Sequence, residues 1–280
     1  MIHSLAGATV VTPDLDTAVA AYREFLGYAG TIETVDAALA TAWGAPAAEG
    51  ARMATLRPAS GHPRFIRFVE GAPAAGFRPL TSYGWTAIEI VVQDVDRLAD
   101  RLADSPFRII GPPAVLEFEF TDQLKAMQAV GPGGEILYLT EIGGEIPGFE
   151  LPTAGSFVDH PFIMVLASAD IAAVGRFYGD LDRPIGPEMT APVQILSDAF
   201  GLPRGHKHRL ATIAFDACSL FEVDAFPEST VERPPSSIGL PSGIAMVTVF
   251  RGEPTPGGAA MLKGAAGEWL EIVDPAPPVT

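Results

Sequence analysis

Two glutamates, Glu222 and Glu271, could do acid–base chemistry, because each stands between apolar residues of a predicted strand. Burial raises the pKa of a carboxyl group, and a carboxyl group with a pKa of about 7 is an effective general base. The alternative is that each side chain points into solvent, and Asp224, two residues after Glu222 on the same strand face, slightly favours this for Glu222. If the two glutamates are buried near each other, they share a proton. We predict both as catalytic residues.

Three further polar side chains interrupt apolar strands. Tyr138 lies in the run ILYL, and its phenol could donate a hydrogen bond to a developing oxyanion, so we predict a catalytic role for it. Arg67, in RFIRFV, could hold a carbonyl or carboxylate of a substrate, although a surface ion pair with Glu70 is the alternative. Glu89, in TAIEIVV, is another candidate for a substrate cavity, with a solvent-facing position as its alternative.

Two histidines and two aromatic residues complete the candidate substrate-binding set. His206 and His208 belong to the densest basic cluster, in a loop before a strand, where they could contact substrate or could simply be solvated. His208 could also bind a metal, but only if the fold turns it inward. Trp43 and Phe200 stand at matching places of an internal repeat, and we predict that they lie in the core or at a pocket rim.

The elements that position these residues are repeated along the chain. Ala260–Val273 (AMLKGAAGEWLEIV) is a diverged copy of Ala126–Leu139 (AMQAVGPGGEILYL), with a Gly–Glu pair before the last strand of each, and Glu271 replaces Tyr138. Arg209–Ile213 (RLATI) likewise copies Arg52–Leu56 (RMATL). Phe200 follows Trp43 at the same offset by which Arg209 follows Arg52. Two matches at one offset indicate a duplication, which places Glu222 at the position of Arg67.

The repeats predict an α+β protein of four βαβββ-type modules that form two half-barrel sheet domains. The fourth module is predicted to lack its helix, because residues 251–258 (RGEPTPGG) contain helix-breaking prolines and glycines. We predict an N-terminal domain at residues 1–142 and a C-terminal domain at residues 158–280. The Gly- and Pro-rich residues 143–157 are predicted to connect them. Whether modules pair within a half or across the halves is left open.

Composition limits the partners of the chain. Its 280 residues carry a net charge of −16, which disfavours nucleic acid and anionic membranes. A single cysteine, Cys218, excludes an internal disulfide, and no apolar run approaches the roughly 18 residues that span a bilayer. Since no segment resembles a signal peptide, we predict a cytoplasmic protein, as a monomer or a homodimer.

The order of strand, helix and three strands resembles that of the vicinal oxygen chelate superfamily, which includes glyoxalase I, extradiol dioxygenases and the bleomycin- and fosfomycin-resistance proteins. The residues that carry the resemblance are Val11–Gly27 (VTPDLDTAVAAYREFLG), Val92–Leu102 (VQDVDRLADRL), Gly131–Leu139 (GPGGEILYL) and Gly267–Ile272 (GEWLEI). The resemblance implies that paired modules curl around a small-molecule substrate. It implies no single reaction, since this fold hosts many.

The resemblance also implies where a divalent metal would bind. The first-strand ligand positions are Gly7, Ala87 and Ile163, and the last-strand positions are Arg67, Tyr138, Glu222 and Glu271. Only two of these seven are carboxylates and none is a histidine, whereas a divalent site usually has three or more protein ligands. We therefore expect no cofactor, and we disfavour a divalent metal.

Three functions follow from these observations. The first is a glyoxalase-like lyase or isomerase that binds a small, largely apolar molecule with a carbonyl or carboxylate group and transfers protons without a metal. The second is a protein of the resistance type that sequesters a small molecule without catalysis. The third is a metal-dependent glyoxalase or extradiol dioxygenase.

Overall fold

The computed structural model describes residues 2–116, 121–253 and 260–274. Its strands form two curled sheets, one of seven strands and one of eight, and the helices between them are short. The predicted α+β architecture of repeated modules in two sheets is confirmed.

The first sheet is built from the first and fourth modules. Its strands in spatial order are β14 (Ala260–Lys263), β15 (Trp269–Val273), β13 (Ile244–Arg251), β1 (Ile2–Thr12), β4 (Phe65–Glu70), β3 (Arg52–Arg57) and β2 (Ala29–Thr34). The second sheet is built from the second and third modules. Its strands in spatial order are β10 (Met189–Pro192), β11 (Lys207–Phe215), β12 (Ser219–Ala225), β9 (Val158–Ser168), β5 (Gly84–Val92), β8 (Ile136–Ile142), β7 (Leu124–Val130) and β6 (Arg108–Val115).

The modules pair across the two sequence halves. Strand β1 runs antiparallel to β13 in the first sheet, and β5 runs antiparallel to β9 in the second. Each sheet therefore takes one module from residues 1–142 and one from residues 158–280, so the sheets do not coincide with the sequence halves. The boundaries of those halves as folding domains stay a prediction.

The first helix of each of the first three modules begins in the same way. In α1 (Leu15–Ala21), α3 (Val95–Leu102) and α4 (Ile171–Gly179), the preceding aspartate caps the first turn by accepting a hydrogen bond from a backbone N–H three residues later. These caps are Asp14, Asp94 and Asp170. Two shorter helices, α2 (Ala37–Ala42) and α5 (Gln194–Ala199), a π-helical turn at Tyr22–Leu26 and a 3-10 turn at Pro46–Ala48 complete the described helical structure.

The fourth module has the strands that the sequence predicted, β13, β14 and β15. Residues 254–258, which are most of the segment predicted to lack a helix, lie outside the described residues. Among the described residues, no helix combines the length and the apolar character that a membrane crossing requires.

Successive side chains of each strand point to opposite faces of its sheet. One face packs on the helices, and the other is the inner face of that sheet. The helices α1, α3 and α4 and the strand residues that face them, such as Phe68, Ile88 and Phe221, form one large apolar core that includes both sheets. The alternate residues of each sheet point away from these helices, into a separate cluster for each sheet. Arg67 and Glu271 lie on this inner face of the first sheet, and Glu89 and Glu222 on that of the second.

Candidate active site

The strand registers define equivalent positions in the two sheets. In the first sheet Thr9 is in register with Arg67, and Thr248 with Glu271. In the second sheet Val165 is in register with Glu222, and Glu89 with Tyr138. Because β4 and β12 occupy matching places in their modules, as do β15 and β8, Arg67 corresponds to Glu222 and Glu271 to Tyr138. This is the correspondence that the sequence repeats predicted.

In the first sheet, Glu271 is fully engaged by hydrogen-bond donors. Its Oε2 accepts hydrogen bonds from Arg67 at 2.7 Å and from the Thr248 hydroxyl at 2.6 Å. Its Oε1 accepts a 2.7 Å hydrogen bond from the indole Nε1 of Trp43. Arg67 also donates to Thr9 at 2.9 Å, and its guanidinium lies 4.8 Å from the centre of the Trp43 ring. Only 3% of Glu271 and 8% of Arg67 is exposed, so this is a buried ion pair.

The ion pair keeps Glu271 in its charged form. Burial acts to raise its pKa, but the positive charge of Arg67 and the hydrogen bonds from Thr248, Arg67 and Trp43 together lower it below the ordinary value. A carboxylate held in this way is a poor general base. The Arg67–Glu70 surface pair that was considered for Arg67 does not form. Glu70 lies 3.4 Å from Arg52 instead.

In the second sheet, the equivalent positions line a cavity with two lobes, which we call the acidic cavity. One lobe is about 80 Å³ and the other about 200 Å³, and both are lined by Glu89, Glu222, Leu116 and Leu210. The remaining walls are largely apolar: Leu124, Ile146, Phe149, Leu151, Ile163 and Leu220 are among the residues that form them. Tyr138 and Gln128 line the larger lobe.

The acids of this cavity have raised proton affinities. Burial, with a smaller contribution from Glu222, raises the pKa of Glu89 to about 8, and the Thr140 hydroxyl, which donates to Glu89 Oε1 at 2.6 Å, opposes the shift. Burial raises the pKa of Glu222 to about 7. Burial, together with nearby carboxylates, also raises the pKa of Tyr138 well above its ordinary value, so its phenol keeps its proton. Near neutral pH, Glu222 is therefore poised between its two protonation states.

Asp224 belongs to this cluster, although the sequence suggested a solvent-facing position for it. Only 1% of it is exposed, and it shares a hydrogen bond with Glu222. Burial and the charge of Glu222 raise its pKa well above the ordinary value, so it carries the proton of that bond. The signal in the sequence was its spacing of two from Glu222, which places both side chains on one strand face.

The two predicted catalytic glutamates are not neighbours. Glu271 lies on the first sheet and Glu222 on the second, so they do not share a proton. The acidic partners of Glu222 are Glu89 and Asp224 instead. The repeats predicted the strand positions of both glutamates. They did not show which modules share a sheet, and therefore not whether the two side chains meet.

The remaining predicted binding residues lie elsewhere. The His208 ring is buried and its Nε2 lies 2.9 Å from the hydroxyl of Ser197, whereas His206 is exposed. Phe200 packs against Phe226, with 5.9 Å between the ring centres. His206, His208 and Phe200 are not among the residues that line the acidic cavity. Trp43 is 1% exposed and is a core residue of the first sheet.

The residues at the positions where the resemblance implied metal ligands do not fit a divalent metal. A Cβ atom at Gly7 would lie 2.4 Å from the carbonyl oxygen of Phe65, so the backbone leaves no room there for a ligating side chain. Ile163 and Ala87 offer no donor atom, and the guanidinium of Arg67 already neutralises Glu271. Within the described ranges, no three His, Cys, Asp or Glu residues converge as a metal site would require.

Comparisons with known proteins identify the fold. Glyoxalase I from Zea mays superposes with a TM-score of 0.60 at 16% sequence identity, over 97% of this chain and 92% of that one. A candidate dioxygenase from Bacillus subtilis subsp. subtilis str. 168 gives a TM-score of 0.60 at 12% identity, over 99% of this chain and 86% of that one. The chain has the fold of the vicinal oxygen chelate superfamily. No protein-family model matches the sequence, and no curated protein matches it, so the superfamily likeness is one of structure.

Proposed function

We propose that this chain binds a small, largely apolar carbonyl compound in the acidic cavity and transfers a proton on it without a metal. The observation that carries the proposal is the position of Glu222, a carboxyl group with its pKa raised to about 7, on the wall of an apolar cavity. Proton transfer by such a group is most effective when its pKa lies near the working pH.

Three polar residues then have a role: Glu222 and Tyr138 in the wall of the cavity, and Asp224 beside Glu222. Glu222 takes the proton from a carbon next to the carbonyl, and the electron pair of the broken C–H bond moves onto the carbonyl oxygen. The Tyr138 phenol stabilises that oxygen by donating a hydrogen bond. Asp224 donates to Glu222 and orients it. Return of the proton to another carbon completes an isomerisation, and expulsion of a leaving group instead makes the enzyme a lyase.

The predicted roles of Glu271, Arg67 and Trp43 are left out of this mechanism, because their polar atoms are bonded to one another. A carboxylate-bearing substrate is also left out, because the described residues that line the acidic cavity include no basic side chain that could neutralise a buried anion. Cytoplasmic location and a homodimer stay predictions of the sequence.

The test is hydrogen exchange. Small apolar ketones are incubated with the protein in D₂O, and the loss of the proton signal next to the carbonyl is followed by NMR. We expect catalysed exchange that Glu222→Gln reduces at least 100-fold. The control Glu33→Gln changes the same functional group on an exposed strand residue of the first sheet and should leave the rate unchanged.

Two outcomes favour the other functions. Ketone binding that Glu222→Gln does not alter, with no exchange in either protein, favours sequestration of a small molecule. Exchange that appears only with a stoichiometric bound metal favours the third function, a metal-dependent glyoxalase or extradiol dioxygenase.

A further inference from the structure

The acidic cavity contains buried acids without a cation. The Oε1 atom of Glu89 accepts a hydrogen bond from Thr140, whereas Oε2 has no hydrogen-bond donor among the described residues, and only 7% of Glu89 is exposed. No basic side chain is among the described residues that line either lobe. The charged groups that act on Glu89, Glu222 and Asp224 are one another. A buried carboxylate in an apolar site is costly unless a positive charge accompanies it.

The first sheet shows how this fold satisfies such an acid. There the buried Glu271 has the guanidinium of Arg67 at 2.7 Å, and this ion pair occupies the inner face. In the second sheet the residue equivalent to Arg67 is Glu222, so a third acid replaces the internal cation, and the inner face contains a cavity instead. The second sheet thus has the acids and the space, but no basic side chain among the described residues that line the cavity.

We propose that the acidic cavity takes a small apolar molecule that carries a protonated amine, and that this amine donates to Oε2 of Glu89. The proposal rests on the same site as the proposed function and narrows its substrates to amine-bearing carbonyl compounds. Glu222 remains the base, and the apolar walls take the carbon skeleton. Because Glu89 holds its proton in the empty cavity, binding of the cation should release that proton near neutral pH.

The test uses three probes of similar shape: benzylamine, benzyl alcohol and benzoate. Each is titrated into the protein by NMR and calorimetry at pH 7, in the presence of a chelator. We expect benzylamine to bind at least 10-fold more tightly than benzyl alcohol, and benzoate to bind most weakly. Glu89→Gln should reduce benzylamine to the affinity of benzyl alcohol, while the control Glu188→Gln, an exposed pair to Arg209, should change neither.

Several results would overturn the proposal. Equal or tighter binding of the alcohol rejects it, and so does an amine preference that survives in Glu89→Gln, because the amine would then bind elsewhere on this acidic protein. Displacement of benzylamine by a stoichiometric divalent metal would show that the missing cation is a metal ion. Ketone exchange that depends on Glu222, without any amine preference, would leave the proposed function standing and reject only the amine.

Calorimetry in two buffers of different ionisation enthalpy provides a second readout. Release of up to one proton per bound amine at pH 7 is expected, and no release is expected with the alcohol. Tighter amine binding without proton release would contradict the assignment of Glu89 as its partner.

Discussion

The two sheets of this protein carry equivalent polar positions on their inner faces, but only the first sheet neutralises its own acid. Glu271 is bonded to Arg67, Thr248 and Trp43, and its pKa is lowered. In the second sheet, Glu89 and Glu222 face a cavity, and burial raises the pKa of each. One duplicated framework therefore holds a closed, structural ion pair in one sheet and a group of proton-holding acids in the other. Side chains at matching positions, rather than the backbone, decide which sheet carries the ion pair and which the acid-lined cavity.

The largest expected effect is the loss of the internal cation. Arg67→Met leaves the Glu271 carboxylate buried without its partner and should lower the free energy of unfolding by about 3–5 kcal/mol at pH 7. Urea denaturation measures it. The control Arg52→Met removes solvent-accessible ion pairs with Asp16 and Glu70 and should lower the free energy of unfolding far less. If both variants lost the same free energy of unfolding, the buried Arg67–Glu271 pair would contribute no more to stability than a surface ion pair.

Replacing an acid of the second sheet by its neutral amide should raise the free energy of unfolding instead of lowering it. A carboxyl group whose pKa rises from 4.5 to about 8 on folding holds its proton more tightly when folded, so it reduces stability as pH rises through that range. Glu89→Gln should therefore leave stability at pH 4.5 nearly unchanged and raise it at pH 8.5 by on the order of 4–5 kcal/mol, since one pKa unit is about 1.4 kcal/mol. Unfolding curves at both pH values check this. A variant that is less stable than the parent at pH 8.5 would show that folding does not raise the pKa of Glu89.

A smaller effect separates the hydrogen bond of Trp43 from its packing. Trp43→Phe removes the indole N–H from Glu271 but keeps an aromatic ring, and should cost about 1–3 kcal/mol in unfolding free energy. The pKa of Glu271 should rise in the same variant, because one of the bonds that lower it is lost. Thermal unfolding and carboxyl titration together test both points, and an unchanged pKa would argue against the hydrogen bond.

A smaller loss than that of Arg67→Met alone is expected when the whole pair is replaced by apolar residues. Arg67→Met with Glu271→Leu removes both charges together, so the double variant should recover most of the stability lost in Arg67→Met. The Trp43 indole N–H and the Thr248 hydroxyl lose their acceptor, which accounts for the loss that remains. Ketone exchange in the second sheet should be unaffected. A double variant that has lost exchange activity while staying folded would show that the first sheet takes part in the chemistry.

Much of this arrangement could be predicted from the sequence, because it depends on local patterns. The repeated Gly–Glu turns indicated the modules, and the apolar neighbours of Glu222 and Glu271 marked both as candidates for burial. The repeats also gave the equivalence of Arg67 and Glu222.

The partners of these residues could not be predicted, because they come from contacts between strands that are distant in the sequence. Arg67 and Glu271 meet only because the first module pairs with the fourth, and the repeats fit either pairing. Asp224 suggested a solvent-facing strand by its polarity, although it is buried against Glu222. His206, His208 and Phe200 were chosen from composition and repeat position, which carry no information about where a cavity forms.

Site-resolved titration of the glutamate side chains tests the difference between the sheets most directly. Carboxyl carbons labelled with ¹³C are followed by NMR from pH 3 to pH 9, with Glu→Gln variants to assign each signal. We predict that Glu89 titrates at about 8, Glu222 at about 7 and Glu271 below 4.5. Titration of Glu89 and Glu222 at or below 4.5 would show that the acids of the second sheet are already neutralised by charge or solvent, and would contradict the account.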